Sequence, residues 1–142
     1  MTPVVPDDAP ALAAIHADAF DAAWSAEEIA GVISGPGAFG FKHEPAGFIL
    51  CRVIADEAEV LTVAVSPAHR RQAVATALLT GALAWARVHG ARSMFLEVAE
   101  DNHTAVALYD ALGFVDVGRR PAYYVRDDHA VAARVMRRDL NR

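Results

Sequence analysis

The sequence predicts a mixed α/β fold: a central, mostly antiparallel sheet with one parallel strand-helix-strand crossover and helices on both faces. Two observations carry this. Apolar spacing switches between period 2 and period 3.6 in the order strand, two helices, three strands, helix, strand, helix, two strands. The three middle strands are joined by short turns and so form an antiparallel meander, whereas the next strand is reached through a helix, the connection that makes neighbours parallel. No repeat, linker or low-complexity block interrupts this order, and 142 residues of 54% hydrophobic composition suit a single domain over 1–142.

Each element has its own signal. Pro3 to Pro6 is a short extended start, and Asp7 and Asp8 stand as caps before a helix from about Pro10 to Ala19 with Leu12, Ile15 and Ala19 on one face. Ser25 with Glu28 three residues later is a capping box, opening a helix that carries Ile29, Val32 and Ile33 up to the breaker Ser34-Gly35-Pro36-Gly37. The meander strands are Phe39 to Lys42, Gly47 to Ile54 and Val60 to Val65, divided by Glu44-Pro45-Ala46 and Ala55-Asp56-Glu57. Val74, Ala77, Leu78, Gly81, Trp85 and Val88 then trace one helical face, which Gly90 ends. Ser93 to Val98 is a β run. Asn102 caps a helix containing Ala105, Leu108, Tyr109 and Leu112, and Gly113 stops it. Phe114 to Gly118 returns as a strand, a loop holds Arg119 to Tyr124 and Asp127-Asp128, and a last strand runs from about Ala130 to Asp139.

Composition narrows the function. No run of about 18 apolar residues is present and MTPVVPDDAP has neither a basic leader nor an apolar segment, so the expected location is cytoplasmic, with no membrane partner. Cys51 stands alone and the six histidines lack zinc-like spacing, so neither a disulfide nor a metal is expected. A net charge of −5 argues against direct nucleic-acid binding and suits basic partners.

The densest signal lies between Val63 and Phe114. The turn His69-Arg70-Arg71-Gln72-Ala73-Val74-Ala75-Thr76 joins the end of a strand to the start of a helix, and it brings two guanidinium groups to a helix N-terminus. Such a place attracts phosphate, because the unpaired amides and the positive end of the dipole point outward together.

Val65-Ser66-Pro67 leading into Arg70-Arg71-Gln72-Ala73-Val74-Ala75, with Leu78-Leu79 beyond, resembles the acyl-CoA motif Q/R-x-x-G-x-G/A of the GNAT N-acetyltransferase family. Leu96-Glu97-Val98, Asn102, Ala107-Leu108-Tyr109 and Leu112-Gly113-Phe114 match that family's later segment. Ala23-Trp24-Ser25, Asp56-Glu57-Ala58 and Arg119-Arg120-Pro121-Ala122-Tyr123-Tyr124 resemble its RimI-type members, which acetylate the N-terminal alanine of a small-subunit ribosomal protein. The resemblance covers nearly the whole chain.

It implies a GNAT fold, acetyl-CoA as cosubstrate and direct transfer to an amine, expected to be the N-terminal α-amine of a ribosomal protein, by a monomer or weak dimer. Other acceptors, small amines or lysine, and a weak acyl-CoA-binding sensor are the alternatives. By this resemblance the strand edge Val63, Ala64 and Val65 pairs with pantetheine. The loop and helix start Arg70, Arg71, Gln72, Ala73, Val74, Ala75 and Thr76 receive the pyrophosphate, and Asn102 adds an amide contact beside its role as a cap. Glu97, in the otherwise apolar strand Met94 to Val98, is the implied base, and Tyr109 the implied acid for the leaving thiolate. An α-amine, whose reference pKa is about 7.7 to 8.0 against about 10.4 for lysine, needs only a modest base.

Ala73 departs from the family, which has glycine there. Its methyl costs little at helical dihedrals and about 1 kcal/mol or more if the position needs positive φ. Cys51, in the run Gly47 to Cys51, reads as a packed thiol rather than an acetyl carrier, and His69 and His103 as solvated polar residues. Tyr123 and Tyr124 beside Arg119 and Arg120 are expected to shape the acceptor channel.

Overall fold

The computed structural model describes residues 1–70, 73–126 and 129–140, apart from the side chains of 122–126. The chain runs β1 (Thr2–Pro3), α1 (Ala9–Ala19), α2 (Ala26–Ile33), β2 (Ala38–His43), β3 (Gly47–Ile54), β4 (Glu57–Val65), α3 (Val74–Val88), β5 (Ser93–Ala99), α4 (His103–Ala111), β6 (Val115–Arg126) and β7 (His129–Asp139). The strands form one sheet in the order β1-β2-β3-β4-β5-β7-β6, antiparallel throughout except for the β4–β5 pair that α3 connects. The expected mixed α/β architecture is therefore present.

Helices cover both faces because β3 is apolar on both. Phe48 and Leu50 point one way and pack with Ala64 against Leu12, Ile15 and Ile29 of α1 and α2. Ile49 and Cys51 point the other way, into a cluster with Leu78, Leu79 and Ala82 of α3, Tyr109 of α4, and Met94, Leu96 and Met136. Full burial of Leu12, Ile29, Phe48 and Leu50 contributes roughly 1.5–3 kcal/mol for each side chain.

The predicted caps hold at two helices. Ser25 Oγ accepts from the Glu28 amide at 3.1 Å while Glu28 Oε1 accepts from the Ser25 amide at 2.9 Å, and Asn102 Oδ1 accepts from the Ala105 amide at 3.2 Å. Gly90 and Gly113 take φ +94° and +89°, the left-handed conformation that ends each helix without a Cβ penalty.

Four expectations need correction. The first strand is Thr2–Pro3, because a 3₁₀ turn already begins at Pro6. Asp8 supplies no side-chain cap to α1; its carboxylate accepts from the Val5 amide at 2.8 Å and from Lys42 Nζ at 2.7 Å. The buried face of α3 is Val74, Leu78, Leu79, Ala82, Leu83 and Ala86, so Ala77 and Val88 face solvent. The helix is rotated because small residues on that face let it sit close to the sheet. Residues 119–124 are strand rather than loop, since β6 pairs with β7 almost to the hairpin tip.

Candidate active site

β4 and β5 begin as parallel neighbours and then part. Their pairing covers Glu57, Ala58 and Glu59 with Ser93, Met94 and Phe95, although both strands continue well beyond. The cause is local to β4. Leu50 pairs with Thr62 but Cys51 with Val60, so Leu61 is an extra residue bulged out of the ladder, and a bulge bends its strand.

Past the bulge the hydrogen-bond phase of β4 is fixed. The Ser66 amide donates to the Ala46 carbonyl at 2.8 Å, which makes that pair a bonded rung of the register Gly47↔Val65, Phe48↔Ala64, Ile49↔Val63. Bonded and non-bonded rungs alternate in an antiparallel ladder. Ala64 therefore spends its backbone groups on β3, while Val63 and Val65 turn theirs toward the opening beside β5. The edge available to a ligand is these two residues; Ala64 lines it from within the core at 2% exposure.

Beyond Val65 the chain makes the turn Pro67–His69 and enters α3. Ala73 is the N-cap, with φ +59° and ψ +19° and no side-chain cap bond. The first backbone bond of α3 runs from the Ala77 amide to the Ala73 carbonyl at 3.0 Å, so the amides of Val74, Ala75 and Thr76 have no acceptor within the helix. Asn102, by contrast, caps α4. Exposed Arg70 precedes the helix start. Arg71 and Gln72 lie outside the described residues, as do the side chains of Tyr123 and Tyr124.

Glu97 and Tyr109 lie on opposite sides of the sheet. On β5, Met94, Leu96 and Val98 are buried toward α3 and α4, and Phe95 and Glu97 point to the opposite face, half-buried. Glu97 Oε1 lies 2.7 Å from Arg120 Nε, an ion pair between a 23% exposed carboxylate and a 59% exposed guanidinium. The register explains the reach: Glu97↔Val135↔Gly118 and Ala99↔Ala133↔Arg120 are rows on one face, so the two side chains meet diagonally across β7. Tyr109 sits in the α3 and α4 core at 7% exposure, edge-on to Phe114 with ring centroids 5.9 Å apart.

Two residues escaped the sequence reading. Arg120 was expected only in an acceptor channel, and its pairing depends on sheet register. His16 was not singled out at all: it is 3% exposed, stacked on Phe20 and Trp24 at 4.4 and 5.2 Å, and bonded to Thr62 beside the Leu61 bulge. Burial lowers its pKa, opposed by the nearby Glu28 charge. Cys51 is fully buried, which pushes its thiol pKa far up and removes it as a nucleophile. His69 is half-buried rather than solvated, with Nδ1 buried and unbonded. Among the described residues no group of His, Cys, Asp and Glu is arranged to hold a metal, and no helix is long and apolar enough to cross a membrane.

Residues 7–114, which hold the parted strand pair, the strand edge and the helix start, match the acetyltransferase (GNAT) family model. The chain belongs to the GNAT family of acetyltransferases. This GNAT chain is 35% identical over 91 residues to the ribosomal protein bS18-alanine N-acetyltransferase of Escherichia coli K12, covering 64% of this chain and 62% of that one. It superposes on the crystal structure of the Escherichia coli S18-alanine enzyme with a TM-score of 0.91 at 29% identity, covering 99% and 93% of the two chains. It is also 47% identical over 68 residues to an uncharacterized Mycobacterium leprae protein, ML0378; the match spans 48% of this chain and 18% of that longer one.

Proposed function

We propose that this protein is an acetyl-CoA-dependent N-acetyltransferase that acetylates the N-terminal alanine of a ribosomal protein by direct transfer. The observation that carries the reading is the opening between β4 and β5, which ends on the free amides of Val74, Ala75 and Thr76 and has Glu97 on its rim. The likeness to the bS18-alanine enzyme supports the choice of acceptor.

The fit to acetyl-CoA rests on two features. Val63 and Val65 offer strand-edge groups to the pantetheine amides, and the helix dipole with Arg70 favours a pyrophosphate at the α3 start. Arg71, Gln72 and Asn102 complete the proposed set. When bound, acetyl-CoA supplies an activated acetyl group. Glu97 takes a proton from the acceptor ammonium, directly or through water, leaving the nitrogen lone pair free to form the new N–C bond. Tyr109 donates its phenolic proton to the departing sulfur as the C–S bond breaks. As the C–S bond breaks the nitrogen releases its second proton to water, Glu97 gives up its proton to solvent and the Tyr109 phenolate takes one back.

A second reading has one observation in its favour. The positive φ of Ala73 strains the residue next to the proposed pyrophosphate amides, as in a weak acyl-CoA-binding sensor. An amine panel decides between them, with CoA release measured for small amines, a lysine peptide and a peptide beginning Ala-Arg. Turnover confined to the peptide α-amine is expected. Turnover on small amines alone would sink the acceptor assignment, and acetyl-CoA binding without turnover on any amine would leave the sensor.

A further inference from the structure

One oxygen of Glu97, Oε1, is already held by a cation. An acceptor α-amine is mostly protonated at neutral pH and arrives as an ammonium. The carboxylate proposed to receive its proton is already bound by a guanidinium, Arg120 Nε to Glu97 Oε1 at 2.7 Å. An ammonium that is to sit on Oε1 must take the place of Arg120.

We infer that Arg120 is a placeholder for the acceptor ammonium: it fills the cation subsite at Glu97 in the acceptor-free protein and is displaced by the incoming amine. The inference rests on the reading of Glu97 as the base.

Three observations support displacement over a fixed structural pair. The Arg120 side chain is 59% exposed, so its departure returns the guanidinium to water with little desolvation to undo. Its neighbours are committed elsewhere: Arg119 pairs with Glu100 at 3.0 Å and Arg134 with Asp116, both on the other face of the hairpin. The ladder is also irregular directly after it. Register passes from Arg120↔Ala133 to Tyr124↔Val131, so three β6 residues starting with Pro121, which has no amide proton, stand against the single Ala132. Arg120 is thus on the last regular rung before a bulge, where a strand changes direction without breaking its ladder. The effect on the acceptor follows from population arithmetic, since its apparent affinity is scaled down by the fraction of molecules in which Arg120 has left.

The test uses two readouts on the full chain. With a peptide beginning Ala-Arg as variable substrate, Arg120→Ala should lower the peptide KM about two- to fivefold, the range an exposed ion pair supports, and Arg120→Lys should fall between. In the wild type, the Arg120 Nε–H resonance, identified by its absence in Arg120→Lys, should shift when peptide is added in the presence of CoA. A peptide KM that stays or rises in Arg120→Ala, or a resonance indifferent to peptide, overturns the placeholder. Full turnover in Glu97→Gln would instead defeat the base assignment, while the resonance still reports whether Arg120 yields its place.

Discussion

His16 Nε2 lies 3.1 Å from Thr62 Oγ1, and because the Trp24 amide donates to Nδ1 at 3.1 Å, the ring is neutral with its proton on Nε2. This one imidazole ties α1, the α1–α2 connection and the strand residue beside the Leu61 bulge into a single bonded unit. Protonating Nδ1 would break the bond to Trp24. Desolvation among Phe20, Trp24 and Phe48 lowers the pKa from 6.5, with Glu28 as the opposing charge. Between that lowered value and 6.5 the unfolded chain binds the proton and the native state does not, so stability falls as pH falls through this window. Above 6.5 the residue contributes no slope. The unfolding free energy from urea titrations should fall below pH 6.5 by up to about 1.4 kcal/mol per pH unit more steeply in wild type than in His16→Gln. Parallel curves would remove His16 as the cause.

Ala73→Gly should stabilise the protein. A non-glycine residue at φ +59° carries a Cβ penalty of about 1 kcal/mol, which glycine relieves at some cost in unfolded-chain entropy. A rise in Tm of up to about 3 °C is expected, with tighter acetyl-CoA binding by calorimetry. Ala73→Val should move both the other way.

Glu97→Gln should reduce kcat by about 10²-fold or more, the usual range for losing a positioned proton acceptor. Tyr109→Phe keeps the edge-on contact with Phe114 and removes the hydroxyl, so a fall in kcat out of proportion to any fall in Tm is expected. Equal losses of Tm and activity would assign Tyr109 to the core alone.

Asn102 has a cap role in hand and an amide contact proposed. Asn102→Asp keeps the acceptor for the Ala105 amide, so Tm should hold, whereas Asn102→Ala should cost about 1 kcal/mol. A raised acetyl-CoA KM in Asn102→Asp, from charge set beside the cofactor, would establish the second role.

Cys51 should be silent. Its thiol is 0% exposed and its pKa is pushed up by burial, so the native protein should resist thiol reagents, and Cys51→Ala should retain turnover. Loss of activity in a folded Cys51→Ala variant would reopen a route through an acetylated thiol.

Local order was legible from the residues because it is set by short-range physics. The Ser25–Glu28 box, the Asn102 cap and the glycine stops act within one turn of helix, and the unbroken apolar run Gly47 to Cys51 marks β3 as a buried strand before any partner is known. The meander and the parallel crossover followed too, since short turns force antiparallel neighbours and α3 forces a parallel one, whereas the place of β7 between β5 and β6 did not. The orientation of α3 was not legible: its apolar and small residues spread wider than one stripe, and only packing against β3 chose between them. Nor was the length of β6, whose middle stretch Arg119-Arg120-Pro121 looks like a loop until β7 pairs with it.

The sequence by itself determined the family and the strand-turn-helix-strand-helix run on which the proposed cofactor edge, the helix start, Glu97 and Tyr109 all lie. Tertiary structure alone decided three things. The positive φ of Ala73 comes from the path the chain takes between a bulged strand and a helix packed beneath it. The bond of His16 to Thr62 joins elements that meet only across the sheet. The hold of Arg120 on Glu97 depends on the register of three strands at once, and register is a property of the assembled sheet, which no single segment encodes.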